Sequence, residues 1–318
     1  MSKKLRTIFI GTPDFGIPAL EALINSDKFE LIAVVTQPDK PKGRKQILTP
    51  PPVKEIALKN GIQVLQPQKI NNDITEIQNL QPDIIIVAAY AQIISQAILD
   101  IPKYGCINIH GSLLPKYRGA ACIQGAILDG ETETGITIMK MDAGLDTGNI
   151  IKKFPIPIRE NDTTESVFDK LSNLGGEIIV PTLIEFIAGE ITLEKQNENE
   201  ASYVKMIKKE DGKINWNKNA DKNERLVRAM YSWPGAYTQL KINNEKLQII
   251  KILEVSPEII NSSDKKVGEI FVHDGKIAVQ CGENALVINQ LQMAGKKPLS
   301  SEEFLRGHQD IVGKKFEQ

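Results

Sequence analysis

Residues 83–88 read Asp-Ile-Ile-Ile-Val-Ala, an apolar run of strand length without polar alternation. A strand of this kind packs on both faces, as in a parallel sheet that is covered by helices. Residues 83–88, with the apolar run 84–87, are therefore predicted to form a central strand. Similar short β-branched runs alternate with helical stretches through the first half of the chain, which predicts a doubly wound, mostly parallel α/β fold of the Rossmann-like kind.

The other elements of this half are predicted from hydrophobic periodicity and from the glycines that close helices. Further strands are expected at residues 7–11, 29–37, 62–65, 105–110 and 137–141, and helices at residues 17–25, 53–60, 121–129 and 164–187.

A polar segment divides the sequence. Residues 194–200 read Glu-Lys-Gln-Asn-Glu-Asn-Glu, which is typical of an exposed linker. Because 318 residues exceed the usual size of one hydrophobic core, two domains are expected. The prediction is a first domain at residues 1–190, a linker at 191–205 and a second domain at 206–318.

The second domain is predicted to be small and β-rich. A helix is expected at residues 220–230 and strands at 247–253, 270–273 and 277–280. The pairs Asn243-Asn244 and Asp274-Gly275 are hairpin signals beside these strands. We predict a barrel-like, OB-like domain in which Trp216 and Trp233 serve as packing residues.

Composition excludes several classes of protein. The net charge is −1, so no general attraction to polyanions is expected, although residues 201–318 carry 19 basic against 15 acidic residues. Three cysteines without C-x-x-C spacing and three scattered histidines favour neither a disulfide framework nor a metal site. Neither a signal peptide nor a transmembrane segment is recognisable, so a cytoplasmic protein is expected.

Polar residues gather at the end of one predicted strand. Asn108 and His110 end the strand at 105–110 with their side chains on one face, and ligands bind at such strand ends in open α/β sheets. Asp146 lies in the glycine-rich return at 142–148, where it can face His110. The residues alone leave open that Asn108 and His110 are structural and that the aspartates only form turns.

Two better-known motifs are absent. Residues 11–16 space their glycines like a phosphate-binding P-loop but lack the Gly-Lys-Ser/Thr that follows one. Ser112 is not framed as G-x-S-x-G, so a hydrolase nucleophile is not predicted there.

A resemblance to a known family gives these polar residues a specific predicted function. Residues 105–119, GCINIHGSLLPKYRG, closely resemble the signature of folate-dependent formyltransferases, and residues 142–148, DAGLDTG, resemble the family's second signature. The resemblance implies that Asn108, His110 and Asp146 are catalytic. Asn108 and His110 would stabilise the oxyanion of a tetrahedral intermediate, while Asp146 assists proton transfer. The implied formyl donor is 10-formyltetrahydrofolate, and no metal is implied.

The same resemblance implies binding residues. Folate is expected along the 112–115 loop and the neighbouring strand end, at Ser112, Leu113, Leu114, Pro115, Ala88, Tyr90 and Gln92. Residues 11–15, 37–44 and 294–298 are similar to family members that formylate methionyl initiator tRNA. Contacts to that tRNA are expected at Lys40, Lys42, Arg44, Lys45, Lys208, Lys209, Lys296 and Lys297. For the 40–45 loop, a merely solvated surface loop is the alternative.

Other acceptors and another class of protein stay open at this point. An amino-sugar nucleotide or glycinamide ribonucleotide could supply the amine. Formyltransferases that act on these acceptors resemble this chain in the catalytic signature but not in the basic loop together with the second domain. A folate-binding or RNA-binding regulator without catalysis is a further alternative, against which the intact trio argues. The family resemblance implies a monomer.

Overall fold

The computed structural model describes residues 3–43, 45–241 and 247–317. Backbone contacts divide the chain into two compact units. Unit 1 comprises Met1–Cys122, Glu133–Pro157 and Phe168–Lys205. Unit 2 comprises Ile123–Thr132, Ile158–Val167 and Met206–Gln318. Two short segments of the predicted first domain are thus grouped with unit 2.

Unit 1 is built on a seven-stranded sheet. Its strands and a small separate hairpin are, in chain order, β1 (Leu5–Gly11), β2 (Phe29–Val35), β3 (Lys40–Lys42), β4 (Ile47–Thr49), β5 (Gln63–Leu65), β6 (Ile84–Ala88), β7 (Cys106–His110), β8 (Glu133–Lys140) and β9 (Ile150–Pro157). The strand order in the sheet is β5-β2-β1-β6-β7-β8-β9. The first five strands in this order run parallel to one another. The pairings of β7 with β8 and of β8 with β9 are antiparallel. The predicted doubly wound, mostly parallel sheet is confirmed.

Helices alternate with these strands. They are α1 (Ile17–Ile24), α2 (Pro52–Lys59), α3 (Ile74–Asn79), α4 (Gln96–Leu99), α5 (Cys122–Asp129) and α6 (Thr164–Ile187). Strand β6 lies fourth of seven, and all five of its residues are buried, so the predicted central strand is confirmed. Strand β9 was not predicted because its two prolines and two lysines obscure the pattern. Its place at the edge of the sheet tolerates prolines, which cannot donate to a neighbouring strand.

The sheet topology determines where a ligand can bind. The connections from β1 lead to β2 on one side, whereas β6 and β7 lie on the other side. The order in which the chain adds strands to the sheet therefore reverses between β1 and β6. At such a point a crevice forms outside the carboxyl ends of the strands. The ends of β1, β6 and β7, at Gly11, Ala88 and His110, meet this edge.

The segment predicted as an exposed linker is exposed at residues 194, 195 and 197–200, and it is also hydrogen bonded to the rest of unit 1. Ile150 and Glu194 exchange backbone hydrogen bonds of 2.8 and 2.9 Å, and Gln196 is only 4 % exposed. Arg118 and Tyr203 form a second backbone bridge. Within residues 194–200 only Gln196 is buried, and composition alone does not single it out.

Unit 2 contains an antiparallel sheet. Its strands are β10 (Ala236–Lys241), β11 (Leu247–Val255), β12 (Ile270–His273), β13 (Lys276–Gln280), β14 (Ala285–Met293) and β15 (Leu299–Ser300), and its further helices are α7 (Ala220–Ala229) and α8 (Ser301–Gly307). The order is β10-β11-β14-β13-β12, with β15 paired to β14. Both residues of the Asp274-Gly275 turn have positive φ, as the predicted hairpin requires. The Asn243-Asn244 signal lies outside the described residues.

The end of the chain joins the two outer strands of this sheet. Glu317 N–H donates to the Gln239 carbonyl on β10, and Lys315 bridges Glu269 beside β12. This closure gives the predicted barrel-like form. Trp216 is fully buried and stacks on Phe316 at 5.4 Å between ring centroids, as a packing residue should.

The packing prediction for Trp233 is wrong, because its side chain is 60 % exposed. Trp233 lies in the turn between α7 and β10. A search of the described residues finds no helix long and apolar enough to cross a membrane.

Candidate active site

Asn108 and His110 are the third and the last residue of β7. Side chains two apart on a strand point to the same face, which brings both groups to one side of the sheet edge. Both are nearly buried, at 8 % and 7 % exposure. Polar groups held in this way at a strand end are shielded from bulk water but open to a ligand at the edge.

Asp146 completes the cluster from the loop between β8 and β9. Its Oδ1 accepts a hydrogen bond of 3.4 Å from Asn108 Nδ2, and its Oδ2 lies 3.7 Å from His110 Nδ1. The carboxylate is 14 % exposed. The structure therefore brings together the three side chains that the sequence predicted to converge.

A backbone carbonyl determines the tautomer of His110. Nε2 lies 3.0 Å from the Tyr117 carbonyl oxygen, which can only accept, so Nε2 carries a proton. Nδ1 is then the nitrogen that faces Asp146. Any proton that His110 gives to or takes from a ligand passes through Nδ1.

The loop after β7 is held against β8 by side-chain hydrogen bonds. Thr137 Oγ1 donates to the Ser112 carbonyl at 2.6 Å and accepts from Leu114 N at 3.0 Å. Ser112 Oγ donates to the Lys116 carbonyl at 2.7 Å. These bonds make the loop a preformed wall beside Asn108 and His110.

Two family models match the chain. The formyl transferase model matches residues 3–183, and the formyl transferase C-terminal domain model matches residues 206–309. The chain belongs to the formyl transferase family. A relative named methionyl-tRNA formyltransferase, from Citrifermentans bemidjiense, is 46 % identical and covers 98 % of this chain and 97 % of its own length.

Solved structures share the fold of this formyl transferase. A sugar 3N-formyl transferase determined in the presence of dTDP and 5-N-formyl-THF superposes with a TM-score of 0.66 at 23 % identity, over 93 % of this chain and all of the other. A phosphoribosylglycinamide formyltransferase from Bacillus halodurans superposes with a TM-score of 0.50 at 25 % identity, over 58 % of this chain and 96 % of the other.

The predicted folate-binding residues of the formyl transferase lie at the sheet edge in different environments. Leu113 is partly exposed, whereas Leu114 is 1 % exposed in a small cluster with Met139 and Ile150. Ser112 and Pro115 are buried in their own loop. Only Leu113 of this group offers an accessible apolar side chain.

The residues after β6 form a tight turn. Ala88 and Tyr90 are buried, and burial raises the pKa of the Tyr90 hydroxyl to about 12, so this side chain stays neutral. The Gln92 side chain accepts from Ile70 N at 3.0 Å. Ala89 and Ala91 have positive φ, which leaves the backbone of this turn in an uncommon conformation of the kind often found at ligand sites.

The predicted tRNA-binding lysines of unit 1 lie on the hairpin of β3 and β4. Lys40, Lys42 and Lys45 are exposed, and Arg44 lies outside the described residues. The hairpin is anchored at its base, because Asp39 accepts hydrogen bonds from Lys54 and Gln66. These two partners lower the pKa of the Asp39 carboxyl group.

In unit 2, four exposed lysines were predicted to bind tRNA: Lys208, Lys209, Lys296 and Lys297.

Neither buried cysteine is suited to chemistry. Burial raises the pKa of the Cys106 thiol to about 12 and that of Cys281 to about 11, so both remain protonated at neutral pH. Within the described ranges, no cluster of three or more His, Cys, Asp or Glu side chains is arranged to hold a metal ion.

Two buried polar side chains beside the trio were not predicted. Arg118 is fully buried and Gln196 is 4 % exposed, and the two are hydrogen bonded to each other. Their partners are far apart in sequence, so no local pattern identifies them. An arginine inside the quoted 105–119 run was the only available signal.

Proposed function

We propose that the chain transfers the formyl group of 10-formyltetrahydrofolate to the free α-amine of methionyl initiator tRNA. The observation that carries the proposal is the convergence of Asn108, His110 and Asp146 at the carboxyl edge of the sheet. The relative named methionyl-tRNA formyltransferase aligns over both domains of this chain, which supports the choice of acceptor.

The reaction requires one bond to form and one to break. The amine nitrogen attacks the formyl carbon to give a tetrahedral intermediate whose former carbonyl oxygen is an oxyanion. The amine loses a proton, the bond from the formyl carbon to N10 of the folate breaks, and N10 gains a proton. The products are tetrahydrofolate and formylmethionyl-tRNA. The protein must therefore stabilise an oxyanion and move one proton.

Asn108 is assigned to the oxyanion. An uncharged amide donor that is held in place can stabilise developing negative charge without having to reorganise. Asp146 Oδ1 accepts from Asn108 Nδ2 and so orients the amide, which leaves the second N–H of this group available.

His110 is assigned as the second donor to the oxyanion, a role that requires a proton on Nδ1 as well as on Nε2, and Asp146 is assigned to accept the proton of the amine. Since Nε2 donates to the Tyr117 carbonyl, His110 acts through Nδ1. The 3.7 Å between Nδ1 and Asp146 Oδ2 is longer than a hydrogen bond but too short to admit an atom between the two, so a reacting group would approach from beside them and hydrogen bond to both. Asp146 then accepts the proton of the attacking amine, directly or through water.

The folate site is assigned to the edge between β6 and the 112–115 loop. Thr12 and Tyr90, which follow the ends of β1 and β6, have buried hydroxyl groups without a hydrogen-bond partner within the part of the chain that is described. Unmet polar groups of this kind fit a polar ligand such as a pterin better than a purely apolar one.

The proposal is tested by incubating the purified protein with 10-formyltetrahydrofolate and methionyl initiator tRNA. After hydrolysis of the aminoacyl ester, mass spectrometry should detect formylmethionine in an amount that increases with enzyme concentration. Absence of formylmethionine while the protein is folded and binds both substrates would favour a non-catalytic binding protein.

Leu113→Ala and Leu114→Ala are expected to act differently. Leu113→Ala should raise the dissociation constant of a stable folate analogue, because the side chain is accessible at the edge. Leu114→Ala should instead lower the free energy of unfolding by about 2–5 kcal/mol, because it removes a buried side chain from the cluster with Met139. Binding titration and denaturant unfolding check the two effects. Equal effects of both variants on folate affinity would contradict the assignment.

Lys42→Ala is expected to raise the KM for tRNA and to leave kcat for bound substrate little changed. Lys42 is exposed on the basic hairpin, and loss of one phosphate contact should lower the slope of log affinity against log salt by about 1. Lys59→Ala, an exposed lysine at the end of α2, is the matched control. A salt slope equal to that of the wild type would show that the hairpin is only a solvated surface.

A further inference from the structure

Gln196 connects the loop of Asp146 to a buried arginine. Its Nε2 donates to the carbonyl oxygens of Asp146 and Gly148, each at 2.8 Å. Its Oε1 accepts from Arg118 Nε at 3.1 Å and from Nη2 at 2.9 Å. A primary amide has two N–H donors and an oxygen with two acceptor positions, so every hydrogen-bonding position of Gln196 is used.

The backbone of Asp146 needs such support. Its φ is +55°, in the left-handed region that residues with a Cβ rarely adopt and that costs on the order of 1 kcal/mol or more. The backbone conformation sets the direction of the Cα–Cβ bond of Asp146, from which the short side chain starts. The hydrogen bonds from Gln196 to the carbonyls of residues 146 and 148 therefore help to determine where the carboxylate points.

The Asp146 carboxylate is held by the backbone of Gly119, the residue that follows Arg118. Gly119 N–H donates to Asp146 Oδ2 at 2.8 Å. Gly119 has a φ of +104°, and an added Cβ would lie 2.5 Å from the Val204 carbonyl oxygen, so only glycine fits between these two segments. Arg118 N–H donates to the Ser202 carbonyl and Val204 N–H donates to the Arg118 carbonyl, both at 2.8 Å.

The Arg118 guanidinium group unites these contacts. It is fully buried and also donates to Glu198 and to the Tyr203 hydroxyl. The hydrogen bond to Glu198 raises the pKa of Arg118, while Arg118 lowers that of the Glu198 carboxyl group. The segment 194–204 is thereby hydrogen bonded both to the loop that carries Gly119 and to the loop that carries Asp146.

We propose that Gln196, held by Arg118, is a positioning residue for Asp146. It maintains the left-handed backbone at Asp146 and thereby the direction of the carboxylate toward Asn108 and His110, without touching substrate. This inference rests on the proposed formyl transfer, because it assigns a role within that reaction. It predicts that changes at Gln196 lower kcat and leave substrate binding intact.

Gln196→Glu separates the two sides of the amide. Glutamate keeps an acceptor for Arg118 but replaces the donor nitrogen with an oxygen that faces two carbonyls. The variant should have a lower melting temperature, because a buried oxygen now faces two carbonyl oxygens, and its kcat should fall by about tenfold to a hundredfold, the effect of a catalytic group displaced by about 1 Å. The KM for methionyl-tRNA and the dissociation constant of a stable folate analogue should change by less than about twofold. Asn197→Ala is the matched control, because among the described residues the Asn197 side chain hydrogen bonds within its own segment, to Glu200 and Asn199.

A double-mutant cycle distinguishes positioning from a general structural effect. If Gln196 acts through the Asp146 carboxylate, Gln196→Glu should cost less than about threefold in kcat once Asp146→Asn is present. Multiplication of the two single effects, or a Gln196→Glu enzyme with wild-type kcat, would overturn the inference. If Gln196→Glu does not fold, Arg118→Lys, which keeps the charge but loses the two-pronged contact to Gln196, decides by the same cycle. A wild-type protein that transfers no formyl group overturns the proposed function, and this inference with it.

Discussion

Asn108→Ala is expected to lower kcat about a hundredfold to a thousandfold, equivalent to about 3–4 kcal/mol of transition-state stabilisation, because it removes one donor to the oxyanion. The substitution also leaves Asp146 Oδ1 without its 3.4 Å partner. That carboxylate is 14 % exposed, so water can replace the lost hydrogen bond. We therefore expect folding to survive and the loss to appear in the chemical step.

Single-turnover kinetics and a binding titration separate these effects. The dissociation constant of a stable folate analogue should remain within about threefold of the wild-type value, because the donor is needed mainly in the transition state. A kcat close to that of the wild type in a variant shown to be folded would remove Asn108 from the catalytic assignment. An equal loss of folate affinity and of kcat/KM would instead make Asn108 a binding residue.

Asp146→Asn is expected to lower kcat by about a hundredfold or more, within the range that general base catalysis contributes. Asparagine is almost isosteric with aspartate and tolerates the left-handed φ of +55°, so the backbone of the loop should keep its conformation. Its single oxygen can accept from Gly119 N–H or from Asn108 Nδ2 but not from both. The amide cannot accept a proton from the amine.

Asp142→Asn is the matched control for this prediction. Asp142 lies in the same loop and accepts hydrogen bonds from Gly144 N and from Thr147 Oγ1 without contacting Asn108 or His110. An asparagine at 142 can still accept both bonds, so kcat should stay within about twofold of the wild type. Similar losses in the two variants would point to loop conformation rather than to a proton acceptor at Asp146.

Much of the fold follows from local sequence patterns. The apolar run 84–87 predicted the central position of β6, because a strand covered on both faces needs no polar alternation. Helix α6 begins and ends at the predicted residues 164 and 187. Strand β9 was missed because an edge strand tolerates prolines and lysines that a central strand does not.

Other features depend on contacts between distant residues. The segment around Gln196 is exposed, as its charged and amide side chains predict, yet Gln196 itself is buried and hydrogen bonded to Arg118. The exposure of Trp233 follows from its place in a turn and not from its residue type. Whether such side chains are buried depends on contacts between distant segments, which the hydrophobic periodicity of the sequence does not show.

The candidate site was predictable in part. Alternation on β7 placed Asn108 and His110 on one face, and the glycine-rich return brought Asp146 toward them. The left-handed backbone at Asp146 and the contact of His110 with the Tyr117 carbonyl required the structure. They define which ring nitrogen can act and which residues support the carboxylate.

The acceptor specificity is the central claim, and one comparison tests it most directly. The protein is given 10-formyltetrahydrofolate and, in separate reactions, methionyl initiator tRNA, an amino-sugar nucleotide and glycinamide ribonucleotide, and kcat/KM for formyl transfer is measured for each. We expect the value for methionyl initiator tRNA to exceed the other two by at least about a thousandfold, since its extended phosphate backbone can contact the basic hairpin at several positions in addition to the reacting amine, whereas the small acceptors carry few phosphates. A higher kcat/KM for either small acceptor would contradict the account.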